Sequence, residues 1–461
     1  MSRRPNVVFI FGDEWRMQAT GYNGDPNCHT PVLDALASRS VNITHAVAGA
    51  PVCCPYRASL LTGQYPLTHG VYINDVELDP TCVSIARAFK AGDYDTAYIG
   101  KWHVHGSPDG QYSRRSTFVP RDCQMGFDYW KGFECTHDYN NSTYFFNDDP
   151  TPREWEGYDA LAQSRDAAAY IKARTDGDSP FLLMLSWGPP HFPLDSAPEE
   201  YRQRYENRPI QLRPNVPPEM REQATDNLRG YYAHIAALDD CLNVVLEAID
   251  AANMAENTIV ILTSDHGDMM GSQGLGTKLF PWDESIRVPF LLRWPALHDT
   301  GRQMPLPLDA PDIMPTLLGL CDVPIPETVE GKDWSPFIRG QEAPTGDEAA
   351  LLVMPAEFHE LRINGMKAYR GLRTARYTYV RDLDGPWLLY DNEADPYQMC
   401  NLIDRPEQKE LQADLERQLQ ARLDALGDEF LDGQAYLQRD GLDHYYEAND
   451  TCVNQWSDPW A

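Results

Sequence analysis

Apolar and polar positions follow two rhythms along this chain. Residues 7–11 form an unbroken apolar run between Pro5 and Gly12, with similar runs at 181–185 and 258–263 and a weaker one at 94–99. Short apolar runs bounded by turn residues are expected of strands buried on both faces. Between them, over 31–38, 158–174 and 228–253, the apolar positions recur at helical spacing. Strands alternating with helices predict an α/β fold, a large and mostly parallel sheet sandwiched by helices. Beyond residue 345 the rhythm changes: 367–381 alternates and is rich in Tyr and Arg, and 387–390 is a short apolar run. Leucines at 411, 415, 419, 423 and 426 then trace one face of a helix. The predicted organisation is a larger α/β domain over 1–345 and a smaller C-terminal domain over 346–461, an antiparallel sheet plus a helix. The leucine stripe reads as packing onto that domain, with a homo-oligomer seam as the alternative.

Charge and length narrow the choice of partners. A chain of 461 residues exceeds what one core usually fills, as the two-part division requires. The formal net charge of −30 excludes nucleic acid and an anionic membrane as partners, because phosphate binding needs a cationic surface. A small anion is still admissible, since a few fixed cations and a metal can dominate one pocket. No apolar run reaches the length of about 20 residues that a membrane helix needs. The first apolar run is too short for a signal peptide. A cytoplasmic enzyme is expected as the sequence stands, or a periplasmic or secreted one if an export signal has been removed. Ten cysteines are too few for a disulfide scaffold, and none stand in a Cys-x-x-Cys pair.

Three of the predicted strands run directly into polar residues: Asp13 and Glu14, Lys101 and His103, Asp265 and His266. In open α/β sheets the site lies beyond the carboxyl ends of the strands. Carboxylates gathered there would repel one another, so a divalent cation is their natural partner, the alternative being ordinary turn chemistry. In the run 53–63, Pro55 suits the first turn of a helix and Gly63 its stop. Cys53 would stand at that helix N-terminus, where free N–H groups favour an anion, and Arg57, one turn on, offers a planar fork to it. Taken alone, Cys53 reads as a buried, inert thiol.

The whole run from Cys53 through Pro55, Arg57, Leu61, Thr62 and Gly63 resembles the Cys-x-Pro-x-Arg-x-x-x-Leu-Thr-Gly signature of the type I sulfatases in the alkaline phosphatase superfamily. Gly100 to His103 is similar to that family's Gly-Lys-Trp-His segment, and Pro190 to Pro193 to its Pro-His-x-Pro segment. Segments 373–379 and 389–396 are similar to its C-terminal segments. The resemblance implies that Cys53 is converted to formylglycine by a formylglycine-generating enzyme, its partner in maturation. It implies one divalent cation on Asp13, Glu14, the modified Cys53, Asp265 and His266. Calcium comes first, with manganese or magnesium next, because Glu14 departs from the usual Asp or Gln and imidazole suits softer ions. It also implies hydrolysis of a sulfate monoester, on a carbohydrate or an aryl group. Arg57, Lys101 and Lys278 would neutralise the sulfuryl oxygens, His191 would protonate the leaving oxygen, and His103 would deprotonate the remaining hydroxyl. The alternatives are a phosphonate monoester or phosphodiester hydrolase of the same superfamily, a non-catalytic sulfoglycan-binding protein, and a thiolate or redox site at Cys53 and Cys54. For the substrate's organic part, His105, Arg114, Arg115, His137 and Tyr139 in the 105–150 loops are the candidate contacts.

Overall fold

A computed structural model describes residues 4–109, 112–174, 179–298 and 300–445. The larger sheet contains β1 (Asn6–Asp13), β2 (Val41–Ile43), β3 (Asp95–Lys101), β4 (Tyr129–Phe133), β5 (Thr143–Phe146), β6 (Asp149–Glu154), β7 (Phe181–Pro190), β8 (Thr258–Ser264), β9 (Leu291–Arg293) and β10 (Arg302–Met304). Their spatial order is β10-β2-β9-β8-β1-β7-β3-β4-β5-β6. The central strands β8, β1, β7, β3 and β4 are parallel to one another. Towards the edges β5, β6 and β9 pair antiparallel. The sheet is therefore mixed at its flanks and parallel at its centre.

Strand periodicity divides the core into two layers. Val7, Phe9 and Phe11 of β1 join the apolar cluster on one face, whereas Val8 and Ile10 join the cluster on the other. Helices Asp159–Lys172 and Arg221–Ala251 cover the second face. Helices Cys53–Thr62 and Ala310–Leu320 cover the first. Cys53–Thr62 is buried along its whole length, and Gly63 ends it in the left-handed conformation, φ 69°.

The second sheet is antiparallel in the order β11 (Ala349–Met354), β12 (Tyr369–Thr374), β13 (Tyr377–Asp382) and β14 (Gly385–Asp391). Helix Lys409–Leu426 lays Leu415, Leu419 and Leu423 on Leu351, Val353, Leu372 and Tyr379 of that sheet. The leucine stripe is thus spent on its own sheet, each buried leucine contributing about 1.5–3 kcal/mol at most. Two buried contacts tie this sheet to the larger one. Arg373 forks onto both oxygens of Asp283 at 2.9 Å, and the Tyr369 hydroxyl donates to Leu279 O at 2.9 Å. The second tie anchors the backbone next to Lys278.

One glycine holds a site strand in place. Gly100 has φ 107°, and a methyl added there would collide with Ser186 O on the neighbouring strand. Gly100→Ala is expected to cost about 3 kcal/mol or more in denaturant unfolding. Gly157→Ala, also at positive φ (72°) but with nothing within 4 Å, should cost only about 1–2 kcal/mol.

Candidate active site

Four adjacent parallel strands end at the same edge of the sheet. β1 ends in Asp13, followed by Glu14 at φ 69°; β3 ends in Lys101, followed by Trp102 and His103. β7 runs to Pro190, with His191 next, and β8 runs to Ser264, with Asp265 and His266 next. The N-terminus of helix Cys53–Thr62 points into this edge, with Cys53 as its first residue. Lys278 arrives from the loop after β8. Asp13, Glu14, Cys53, Arg57, Lys101, His103, His191, Asp265, His266 and Lys278 are all buried there.

Arg57 is the hub of the polar network. Its Nε donates to Asp265 Oδ2 at 3.1 Å and its Nη2 to Asp13 Oδ2 at 3.3 Å. Nη1 donates to Lys101 O at 2.9 Å and to Ser186 Oγ at 2.8 Å. The guanidinium lies over the Phe11 ring, 5.0 Å from its centroid. Lys101 Nζ donates to Asp13 Oδ2. On the opposite side, Lys278 Nζ donates to His191 Nε2 at 2.7 Å and lies 3.2 Å from Glu14 Oε1. His191 Nδ1 meets a carbonyl, Phe192 O, at 2.9 Å. Because a carbonyl only accepts, Nδ1 carries the proton and Nε2 offers its lone pair to the lysine.

Cys53 lies between these groups. Its Sγ is 3.2 Å from His266 Nε2 and 3.5 Å from Asp13 Oδ1. His266 Nε2 is itself 3.5 Å from Asp13 Oδ1 and 3.6 Å from Asp265 Oδ1. Asp13, Cys53, Asp265 and His266 each offer a donor atom, all within 4.8 Å of one another. Glu14 falls instead into an adjoining group with Asp13 and His191, its longer stem reaching toward Lys278. The donor set fits a divalent cation. His266 Nδ1 is held by Gly267 O at 2.9 Å, which turns Nε2 inward toward Asp13 and Asp265.

The electrostatics follow from burial and crowding. Burial works against the Asp13 anion, yet Lys101, His191, Arg57 and His266 hold its carboxyl well below the usual range. Burial pushes Glu14 well up despite Lys278, with Asp268 and Asp13 adding to the rise. Burial and Asp13 oppose ionisation of Cys53, but Lys101, Lys278 and His266 bring its thiol down to about 6. Burial lowers His266, but Asp265 and Cys53 outweigh it and raise the imidazole to about 10. Burial and Lys278 push His191 well down, so it stays neutral. A dication here would favour the ionised carboxylates and displace the His266 Nε2 proton.

A narrow cleft of about 90 Å³ leads to Cys53, His103, His191 and Lys278, and Arg115 and His137 line its wall. His137 stacks on His191, centroids 4.4 Å apart. The cleft adjoins a cavity of about 1150 Å³ that shares Tyr112, Arg115, His137 and Phe192 with it. The other loop candidates lie elsewhere. Tyr139 is buried with its hydroxyl on the carbonyls of Gly188, His191 and Phe192, and His105 and Arg114 face Glu77. Sequence reasoning missed Ser186, which holds Arg57, and the segment carrying Phe358, His359, Glu360 and Ile363, which closes the cleft from the far side. Ser186 had one available signal, its position at the end of an apolar strand run. The other segment had none.

This geometry agrees with what is known of similar proteins. The sulfatase family model matches residues 5–323, and one described as N-sulphoglucosamine sulphohydrolase, C-terminal, matches residues 271–425. An ulvan-active sulfatase of Formosa agariphila is 43% identical over 456 residues, covering 98% of this chain and 87% of that protein. An endo-4-O-sulfatase of Bacteroides thetaiotaomicron is 32% identical over 488 residues, covering 93% of each. A Bacteroides fragilis structure assigned to the sulfatases superposes with a TM-score of 0.84 at 30% identity, covering 93% of this chain and 97% of that one. A family match over most of the chain, around a buried set of carboxylates, cations and one thiol, leaves a single assignment: this chain belongs to the sulfatases and is a sulfuric ester hydrolase.

Proposed function

We propose that the enzyme removes sulfate from a sulfated carbohydrate, using Cys53 in its formylglycine form as the source of the nucleophile. The carrying observation is the position of Cys53 Sγ, within 3.5 Å of both Asp13 Oδ1 and His266 Nε2 and beside three buried cations. Conversion of Cys53 by a formylglycine-generating enzyme, with dioxygen or another two-electron acceptor as oxidant, takes the thiol to a thioaldehyde that water hydrolyses, releasing sulfide and leaving the aldehyde oxygen. Asp13, Asp265 and His266, with Glu14 adjoining, would hold the cation. We place calcium first because most of these donors are carboxylate oxygens. When bound, the cation with the hydrated aldehyde supplies an oxygen nucleophile at neutral pH by lowering a hydroxyl pKa.

The chain's own residues supply the remaining steps. Arg57, Lys101 and Lys278 bring positive charge, from buried positions, to where the sulfuryl oxygens carry negative charge. His191, with Nδ1 held by Phe192 O, relays through its Nε2 lone pair a proton from the Lys278 ammonium to the departing sugar oxygen. His103, buried with Nε2 3.9 Å from Asp75 Oδ2, is the base that in its neutral form would accept the proton whose loss expels sulfate. Burial alone would lower His103, but Cys135 and Cys54 raise it.

The neighbouring cavity favours a glycan over a small aryl group. At about 1150 Å³ it exceeds the ~300–1,000 Å³ typical of small-ligand pockets, and Arg202, Gln203, Asn227 and Arg229 give it hydrogen-bonding groups for sugar hydroxyls. Hydrolysis of nitrophenyl sulfate should exceed that of nitrophenyl phosphonate by at least about 100-fold in kcat/KM, some 2.7 kcal/mol. The reverse preference would assign the phosphonate reaction instead. Chelation should remove activity, and calcium should restore more of it than manganese or magnesium. Full activity in chelator would contradict the cation's role.

A further inference from the structure

We propose that Glu77, His105 and Cys123 form a second metal site, for zinc, behind the wall of the catalytic cleft. Each offers a donor atom, and the three atoms lie within 4.8 Å of one another. His105 is only 6% exposed, and among the described residues its Nδ1 has no hydrogen-bond partner. That nitrogen faces Glu77 Oε1 at 3.7 Å, too far for a hydrogen bond. The spacing suits two ligands of one ion, since tetrahedral zinc with bonds of about 2.0–2.2 Å to N and O separates them by roughly 3.4 Å. Burial, with Arg114 adding, lowers His105 to about 4, so its lone pair is free at neutral pH.

The donor set selects the ion. One imidazole, one carboxylate and one thiolate are a borderline-soft combination, which zinc accepts and calcium or magnesium does not. The carboxylate and thiolate together balance a dication, so the half-buried cluster would carry no net charge. Cys123 gives up its thiol proton to solvent on binding; burial and Glu77 hold that proton in place without metal. Arg114 Nη1 is 3.3 Å from Glu77 Oε2, which leaves Oε1 for the ion. Three protein ligands leave a fourth position for water.

Such an ion would be structural. It joins the segment after Asp75 to the segment after His103, which already pair through Leu78 N to Val104 O at 3.0 Å and Ser107 N to Asp75 O at 2.7 Å. Asp75 in turn holds Arg115, through Nε at 3.0 Å and Nη2 at 2.6 Å, against the cleft. Zinc would therefore brace the mount of Arg115 and His103 without touching substrate.

The test uses Cys53→Ala protein, which removes the thiol of the catalytic cluster, stripped of metal, saturated with calcium and titrated with cobalt(II). The expected result is a thiolate-to-cobalt charge-transfer absorption at one equivalent, displaced by zinc. Adding Cys123→Ser should abolish that absorption while far-UV circular dichroism stays unchanged. Adding His105→Ala instead should weaken cobalt binding by at least about tenfold. Absence of the absorption in Cys53→Ala protein, or its persistence in Cys53→Ala/Cys123→Ser protein, would overturn the site.

Discussion

Cys53→Ala is expected to lower kcat on a sulfate ester by at least about 10⁴-fold, because removing a nucleophile leaves only binding and charge stabilisation. The fold should survive. Cys53 is the first residue of its helix, and its thiol makes only two long contacts, at 3.2 and 3.5 Å. Unfolding in denaturant should therefore change by about 1 kcal/mol or less. Calcium binding should weaken without vanishing, since Asp13, Asp265 and His266 remain. Turnover near the wild-type rate in this variant, with its mass confirmed, would refute the role given to residue 53.

The second large effect belongs to Arg57. Its guanidinium serves Asp13, Asp265, Ser186 and the Lys101 carbonyl at once, all from full burial. Arg57→Ala leaves two buried carboxylates short of a counter-charge, and breaking a buried pair of this kind costs about 3–5 kcal/mol. The loss should be larger in chelator than in calcium, because a dication between Asp13 and Asp265 replaces part of the missing charge. Arg57→Lys should recover little activity, since a point charge on a flexible stem cannot reach four partners in a fixed fork. Denaturant unfolding of both variants, with and without calcium, measures this. Equal destabilisation in the two conditions would separate Arg57 from the cation cluster.

Some of this structure was legible in the residues, and some was not. The apolar runs at 7–11 and 258–263 are the middles of β1 and β8, and strand burial on both faces explains why they read so plainly. β7 was read only to residue 185 but continues through Ser186, Trp187 and Gly188 to Pro190, held by its register with β1 up to Asp13. Nothing local announces that extension, because pairing in the sheet decides it. The flanking strands β5 and β9 are only four and three residues long, and β6, at the sheet's edge, is polar and mostly exposed, so none shows a strand's rhythm. The site candidates could be picked out because all but Lys278 follow a strand end or sit in a patterned run. Tyr139 shows the opposite failure: an aromatic among Asn residues resembles a sugar contact, but its hydroxyl is taken up by three backbone carbonyls. The cleft wall from Phe358 to Ile363 is brought in by the second sheet, and only tertiary packing reveals it.

Peptide mass mapping across residue 53, in protein co-expressed with a formylglycine-generating enzyme, tests the central claim most directly. The expected peptide has lost sulfur and two hydrogens, gained one oxygen and become reactive to hydrazide, with specific activity proportional to its fraction. An unmodified thiol in fully active protein would contradict it.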